Sequence, residues 1–318
     1  MITQYLVADI GGTNTRVALA NDGQLQLDSV CRYRNKDQSS IELILKNYLQ
    51  EIQPKSQPVA VCIDLAGPVD ENKGILTNLD WTVTTAQLCD ATGAKTGAIL
   101  NDMQAQGLAL SCLPSGVFRT VLNGTSNTGS RLVINVGTGF NSALILEEDS
   151  KLIVPNSETG HVDLPVSSHD IFELHQYLTY RFGFASVEEV LSGRGLGHIY
   201  DFLDQKKNKR SISTSKNIIE QIGIDPLADE AMATFLKVFG CVCGNLALTH
   251  LPFGGIYLVG GMAQALTNYY ANSPFQSAFI KKGRFSSFMK QFSVHLVQDD
   301  HAALLGCISY LNNLNYKK

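Results

Sequence analysis

The chain has 318 residues, 44% hydrophobic and 17% charged, a balance that excludes disordered, fibrous and collagen-like classes. Its 25 Lys and Arg against 29 Asp and Glu give a net charge of −4, which supplies no attractive field for nucleic acid or an anionic membrane. Seven cysteines, an odd number without framework spacing, point to a reducing, cytoplasmic setting.

The N-terminus, Met1-Ile-Thr-Gln4, carries no basic region, and its apolar run stops at Asp9, too soon for a signal peptide. Tyr5-Leu-Val-Ala8 and Val17-Ala-Leu19 flank Asp9, Gly11 and Gly12, so the stretch reads as a hairpin with an unexplained carboxylate at its tip. Ile41, Ile44, Leu45, Tyr48, Leu49 and Ile52 repeat at helical spacing, and Pro54 stops them. Val59-Ala-Val-Cys-Ile63 reads as a buried strand that gives way to a loop over Asp64-Leu-Ala-Gly-Pro68. A short strand over Ala98-Ile-Leu100 leads into Asn101-Asp102 and a helix from Met103 to Leu113, closed by Pro114-Ser-Gly116. By residue type alone, Asp102 reads as that helix's N-cap.

Further along, Ile171, Leu174, His175 and Leu178 share one helix face. Lys206-Lys-Asn-Lys-Arg210 and the following polar residues read as a solvated loop. A long helix is expected over Ala228–His250, with Gly240-x-x-x-Gly244 for close packing and Cys241-Val-Cys243 in the core rather than on zinc. Its longest charge-free apolar stretch, Val238–Thr249, falls short of the ~20 residues a membrane span needs. Ile256-Tyr-Leu-Val259 is a buried strand ending at Gly260-Gly261. Strands alternating with helices give an α/β chain with a largely parallel sheet, and the length suits two domains.

The chain also repeats itself. Leu6-Val-Ala-Asp-Ile-Gly-Gly-Thr-Asn-Thr-Arg-Val-Ala-Leu19 aligns with Leu132-Val-Ile-Asn-Val-Gly-Thr-Gly-Phe-Asn-Ser-Ala-Leu-Ile145, offset by 126 residues. Asp9 falls on Asn135, and Gly11 falls on Gly137. Glycine at such a turn lets backbone N–H groups converge on phosphate oxygens; Thr13, Thr15 and Thr138 add hydroxyls, and Asp9 can hold a divalent cation directly or through water. Neither turn matches a Walker A or dinucleotide-binding glycine pattern.

Asp9-x-Gly-Gly-Thr-Asn14, Gly137-Thr-Gly139 and Val259-Gly-Gly261 together resemble the two phosphate loops and the adenosine loop of the actin-like ATPase superfamily. Leu100-Asn-Asp102, Glu158-Thr-Gly-His161-Val-Asp163, Glu188-Glu-Val-Leu-Ser-Gly193 and Gly244-Asn-Leu-Ala-Leu248 narrow the resemblance to bacterial glucokinases that lack the zinc motif, in order from about residue 5 to residue 306.

The resemblance implies a two-domain actin-like (duplicated ribonuclease H-like) α/β fold with the active site in a cleft. The small domain would be residues 1–108 plus 301–318 and the large one 109–300. It implies ATP-dependent phosphorylation of the glucose 6-hydroxyl, with Asp102 as the catalytic base. Asn101, Asp102, Glu158, His161 and Glu188 would bind the sugar, and Asn78 would help shape its site. Asp9, Ile10, Gly11, Gly12, Thr13, Asn14, Gly137, Thr138, Gly139, Gly260 and Gly261 would bind the nucleotide. Asp9 would anchor Mg2+, through water. A homodimer is implied, with no nucleic-acid or membrane partner.

Three positions depart from the family pattern. Ala8 stands where Gly is usual, Asn141 follows the second glycine turn where Gly is usual, and Asp299-Asp-His-Ala-Ala-Leu-Leu-Gly306 replaces Asp-Asn-Pro-Gly-Leu-Leu-Gly. Asn141 is thereby expected to bear on nucleotide contacts, and Ala302-Ala303 on the start of the last helix. Rival readings are a kinase for mannose or an amino sugar, polyphosphate as donor, and a sugar-binding regulatory protein without turnover; no helix-turn-helix precedes residue 5 in the sequence.

Overall fold

The computed structural model describes residues 3–70, 72–76, 79–126, 128–149, 151–206 and 214–315. Asn78 and most of the basic stretch after Lys206 lie outside the described residues. The chain divides into two compact units, residues 1–115, 148–156 and 299–318 in the first and residues 116–147 and 157–298 in the second.

The first unit begins with strand β1 (Gln4–Ile10), which turns through Gly11-Gly12-Thr13 into β2 (Asn14–Asn21). They pair antiparallel, with Asp9 opposite Arg16 and Ile10 opposite Thr15. The sheet grows outward from β2 through β3 (Gln24–Leu25) and β4 (Cys31–Arg34). On the other side of β1 lie β5 (Ala60–Leu65) and β9 (Thr96–Asn101), both parallel to it. A small antiparallel sheet of β6 (Val69–Asp70), β7 (Lys73–Leu76) and β8 (Trp81–Thr84) connects them.

Helix α1 (Ile41–Ile52) is capped by Ser40, whose hydroxyl accepts the Leu43 N–H at 3.2 Å, and it buries Ile41, Ile44, Leu45 and Tyr48. These join Leu6, Ala8, Ile10, Val17, Ile63 and Leu65 in one core, each large aliphatic side chain contributing roughly 1.5–3 kcal/mol. α2 (Thr85–Thr92) precedes β9, and α3 (Asp102–Ala109) follows it directly. The helix expected to run to Leu113 therefore ends four residues sooner, in successive turns around Cys112 and Leu113 that bond back to Ala109.

The second unit repeats the scheme. β11 (Arg131–Val136) pairs antiparallel with β12 (Phe140–Glu148), Asn135 opposite Asn141, after an outer strand β10 (Phe118–Leu122). On the far side of β11 lie β13 (Ile256–Val259) and β14 (Val294–Val297), parallel to it, and β10 closes that edge antiparallel to β14. A hairpin partner, a first strand and two parallel strands thus stand in the same order in both sheets. This is the structural counterpart of the sequence repeat.

Helices α4 (His169–Phe182), α5 (Gly193–Lys206), α6 (Ser215–Glu220), α7 (Pro226–His250), α8 (Gly261–Ala265) and α9 (Pro274–Ile280) complete the second unit. By length and composition α7 could cross a membrane, but 61% of its most apolar window is buried inside the protein. Phe235 and Phe239 on α7 pack with Phe275 and Phe279 of α9 in the core. A side chain at Gly240 would run into the Phe275 carbonyl, so this glycine allows the two helices to touch.

The chain then returns to the first unit with α10 (Ala302–Asn315). Its altered start holds: the Asp299 carboxylate accepts the His301 N–H at 2.8 Å, the Arg16 guanidinium donates to the Asp300 carbonyl, and Ala302 and Ala303 are buried. α10 lies on α3, β1 and β5.

Asp64, expected in a loop, is the fifth residue of β5 and is fully buried. It sits in register beside Asp9, with the Cys307 thiol of α10 3.5 Å from Oδ2 and no donor to Oδ1 among the described residues. Burial, and then the charge of Asp9, hold its carboxyl well above the usual carboxylate range. The unfolded chain releases this proton near the ordinary carboxylate pKa of about 4, whereas the folded chain holds it to higher pH, so stability falls as pH rises between the two values. Asp64→Asn removes that loss and keeps the shape, with its amide able to donate to Asp9. In metal-free buffer we expect the variant to lose less stability than the wild type between pH 5 and pH 8, and to be more stable at pH 8 by about 1–2 kcal/mol. Denaturant titrations at the two pH values read this; equal pH dependence in the two proteins would contradict it.

Candidate active site

Each predicted site residue among the described residues lies at a turn or strand end, and in the first unit three groups gather. The first glycine turn is closed by the Gly11 N–H on the Asn14 carbonyl at 3.0 Å. It is buttressed from outside the motif by Asn35, which is buried. Asn35 donates its amide to the Gly11 carbonyl at 2.7 Å and its backbone N–H to the Thr13 carbonyl at 3.0 Å, and accepts the Thr15 hydroxyl at 2.8 Å. Nothing in the sequence around Asn35 announces this role, because it is brought in by the pairing of β4 with β2.

Asp9, one residue before the end of β1, has its carboxylate 3.6 Å from Arg16 Nε and partly exposed. Burial raises its pKa and the Arg16 charge only partly offsets this. Ile10 is fully buried and anchors the turn, while Gly12 and Asn14 are half-buried and Thr13 is exposed.

Asp102 is not the N-cap. That role belongs to Asn101, whose Oδ1 accepts the Met103 N–H at 3.0 Å and whose own N–H is bonded to Gln104 Oε1 at 3.1 Å, a full capping box. The Asn101 amide also donates to the Gly67 carbonyl at 3.0 Å. Asp102 is instead the first helical residue, half-buried, with Oδ1 accepting the Met103 N–H at 2.9 Å. A carboxylate there is favoured by the helix dipole, and it stands just past the carboxyl end of β9, as Asp9 stands at the carboxyl end of β1. Ligand sites of open parallel sheets lie at those ends.

In the second unit, the Gly137-Thr138-Gly139 turn is closed by the Gly137 N–H on the Gly139 carbonyl at 2.9 Å. Gly260 and Gly261 follow β13, the strand beside β11, with Val259 next to Asn135. Gly260 has φ +97°, and a side chain there would strike Asn135 Oδ1 and the Val136 carbonyl. The third glycine pair is thus locked against the base of the second turn.

Glu158 precedes and His161 ends a single 3-10 turn (Thr159–His161), and both are exposed; the His161 N–H donates to the Glu158 carbonyl at 3.1 Å. Their segment pairs with the stretch before Glu188 through Leu164 to Ala185 at 2.9 Å, Val187 to Val162 at 3.0 Å and Glu188 to Gly160 at 2.9 Å. Glu158, His161 and Glu188, separated by up to 30 residues in sequence, are therefore brought to one place. Glu188 also reaches the glycine turn, where Oε2 accepts the Phe140 N–H at 2.9 Å. Asp163 is used structurally, paired with His175 Nε2 at 2.9 Å.

Asn141 does not have the left-handed backbone a glycine there would allow; it sits in β12. Its amide donates to the Ser157 carbonyl at 2.7 Å, and its oxygen accepts the Ser142 N–H at 2.8 Å and the Thr159 N–H at 3.1 Å. The side chain that replaces the usual glycine therefore ties down the segment carrying Glu158. Asn141→Ala should cost about 1–3 kcal/mol through the groups it orphans. We expect hydrogen exchange at the Thr159 amide to quicken at least tenfold while amides of α7 keep their protection; unchanged exchange at Thr159 would refute the tie.

A family model described as Glucokinase matches residues 6–314. A glucokinase of Colwellia psychrerythraea is 30% identical over 97% of this chain and 96% of its own. One of Caulobacter vibrioides is 34% identical over 95% and 93%. Among solved structures, a glucokinase from an Antarctic psychrotroph superposes with a TM-score of 0.85 at 26% identity, covering 98% of this chain and all of the other. The chain therefore belongs to the glucokinase family and has the actin-like ATPase fold.

Proposed function

We propose that the protein transfers the γ-phosphoryl group of ATP to the 6-hydroxyl of glucose, with Asp102 taking the hydroxyl proton. The observation that carries this reading is the position of Asp102. Its carboxylate is half-buried at the start of α3, where Asn101 supplies the cap and Asp102 Oδ1 accepts the Met103 N–H. A base so placed contributes typically 10²–10⁴-fold.

Asn101 is committed to the cap and to Gly67, so it offers the sugar its second amide hydrogen and second lone pair. Glu158, His161 and Glu188 supply the remaining hydroxyl contacts. A site of such paired polar groups rejects an epimer by leaving buried partners unmatched. The glycine turns hold the phosphates: the Gly11 N–H is spent on Asn14, so the first turn's donors are those of Gly12, Thr13 and Asn14. The Gly137 N–H is likewise spent, on the Gly139 carbonyl, so Gly137 shapes the second turn while Thr138 and Gly139 supply its donors, and Gly260 and Gly261 face the nucleoside.

Asp9 suits Mg2+. Its hard carboxylate is partly open, and no group of three or more His, Cys, Asp or Glu is gathered for a metal among the described residues, so a cation held there keeps waters and phosphate oxygens as its other ligands. When bound, the ion neutralises charge on the phosphates. The same reading places the protein in the cytoplasm as a homodimer that feeds glycolysis.

ADP release over a panel of hexoses tests the reading. Glucose is expected to be the preferred acceptor, and Asp102→Ala to lower kcat by 10²- to 10⁴-fold with a much smaller change in KM. Sugar-independent ADP release, or unaltered kcat in Asp102→Ala, would overturn it. Preference for mannose or an amino sugar would keep the kinase and replace its substrate.

A further inference from the structure

Arg194 is the second residue of α5, where a cation opposes the helix dipole rather than helping the helix. The helix start has its own cap: the Ser192 hydroxyl accepts the Gly195 N–H at 3.1 Å and donates to the Glu188 carbonyl at 2.8 Å. The guanidinium is half exposed, so it is not a core requirement either. Its partners account for it. One nitrogen, Nη2, lies 2.5 Å from Glu188 Oε1 and 3.3 Å from Glu189 Oε1. Glu189 is in turn held by His198, whose Nδ1 is 3.2 Å from Oε2 and 2.9 Å from the Glu189 carbonyl.

The Glu188 carboxylate is consequently gripped at both oxygens from different elements, by the Phe140 N–H on Oε2 and by Arg194 on Oε1, while its backbone N–H is fixed on Gly160. Each oxygen keeps a second lone pair, and the plane of the carboxylate sets where those point. A sugar hydroxyl can exploit such an acceptor only if it is held in a fixed direction. Without Arg194, the single Phe140 bond lets the carboxylate rotate about its last torsion.

We infer that Arg194 is a positioning residue for glucose, acting through Glu188 with Glu189 and His198 behind it. The inference rests on the reading of Glu188 as a sugar ligand. It assigns Arg194 no contact with sugar or phosphate.

Calorimetric titration of glucose into the nucleotide-free enzyme tests it, with wild type, Arg194→Ala, Arg194→Lys, Glu188→Gln and the Arg194→Ala/Glu188→Gln double variant. Arg194→Ala should raise the glucose Kd about tenfold, equivalent to ~1.4 kcal/mol, and leave both Tm and the Kd for a non-hydrolysable ATP analogue unchanged. Because one nitrogen makes both contacts, Arg194→Lys should return the affinity to within about threefold of wild type, and it serves as the readout should the alanine variant fold poorly. In the Glu188→Gln background, Arg194→Ala should add less than a twofold change. Unchanged glucose affinity in Arg194→Ala beside an impaired Glu188→Gln would overturn the positioning role alone. An equal loss in both backgrounds, or a loss of nucleotide affinity instead, would overturn it too. A Glu188→Gln variant that binds glucose like wild type would overturn it through the reading on which it stands.

Discussion

The hydrogen bond from the Phe140 N–H to the Glu188 carboxylate is the contact on which the second unit's candidate site depends. It joins a glycine turn suited to phosphate with a segment suited to a sugar, and everything around it serves to hold the two ends. The turn is pinned from below by Gly260 against Asn135 and Val136, and from α5 by the Gly193 N–H on the Gly137 carbonyl at 2.9 Å. The segment is pinned by Asn141 on Ser157 and Thr159 and by pairing with residues 185–188. A charge-assisted bond of this kind is worth more than a neutral one, and it positions both groups with one contact.

The first unit solves the matching problem by register. Asp9, Asp64 and Leu100 lie side by side on three adjacent parallel strands, so Asp9 and, two residues past Leu100, Asp102 emerge at the same end of one sheet. Asp64 is the cost of that arrangement. A fully buried carboxyl beside another is destabilising near neutral pH, and local departures from optimal stability are tolerated most often at functional sites.

The hairpins were legible because alternation, a glycine tip and a repeated pattern are local signals, and they carried the fold with them once the repeat was seen. The helical faces of α1, α4 and α7 were legible for the same reason. What stayed hidden depended on long-range pairing. Asp64 reads as a loop residue because a charge normally ends a buried run, and only its strand partners keep it inside. Asn101 and Asp102 are both good capping residues, so composition could not tell which one caps; the Gly67 carbonyl and Gln104 decide it. Asn35, Asn141 and Arg194 carry no motif of their own, and each acquires its role from a neighbour 16 to 24 residues away or from a pair of acids five and six residues back.

The proposed division of labour between two carboxylates at one end of one sheet gives the cation to Asp9 and the proton to Asp102. Mn2+ electron paramagnetic resonance in the presence of ADP, paired with glucose titration, tests it most directly. Asp9→Asn should weaken nucleotide-dependent Mn2+ binding at least tenfold and leave glucose affinity intact, whereas Asp102→Asn should keep Mn2+ binding at the wild-type level while phosphoryl transfer is lost. Loss of Mn2+ binding in Asp102→Asn, or wild-type Mn2+ binding in Asp9→Asn, would contradict the account.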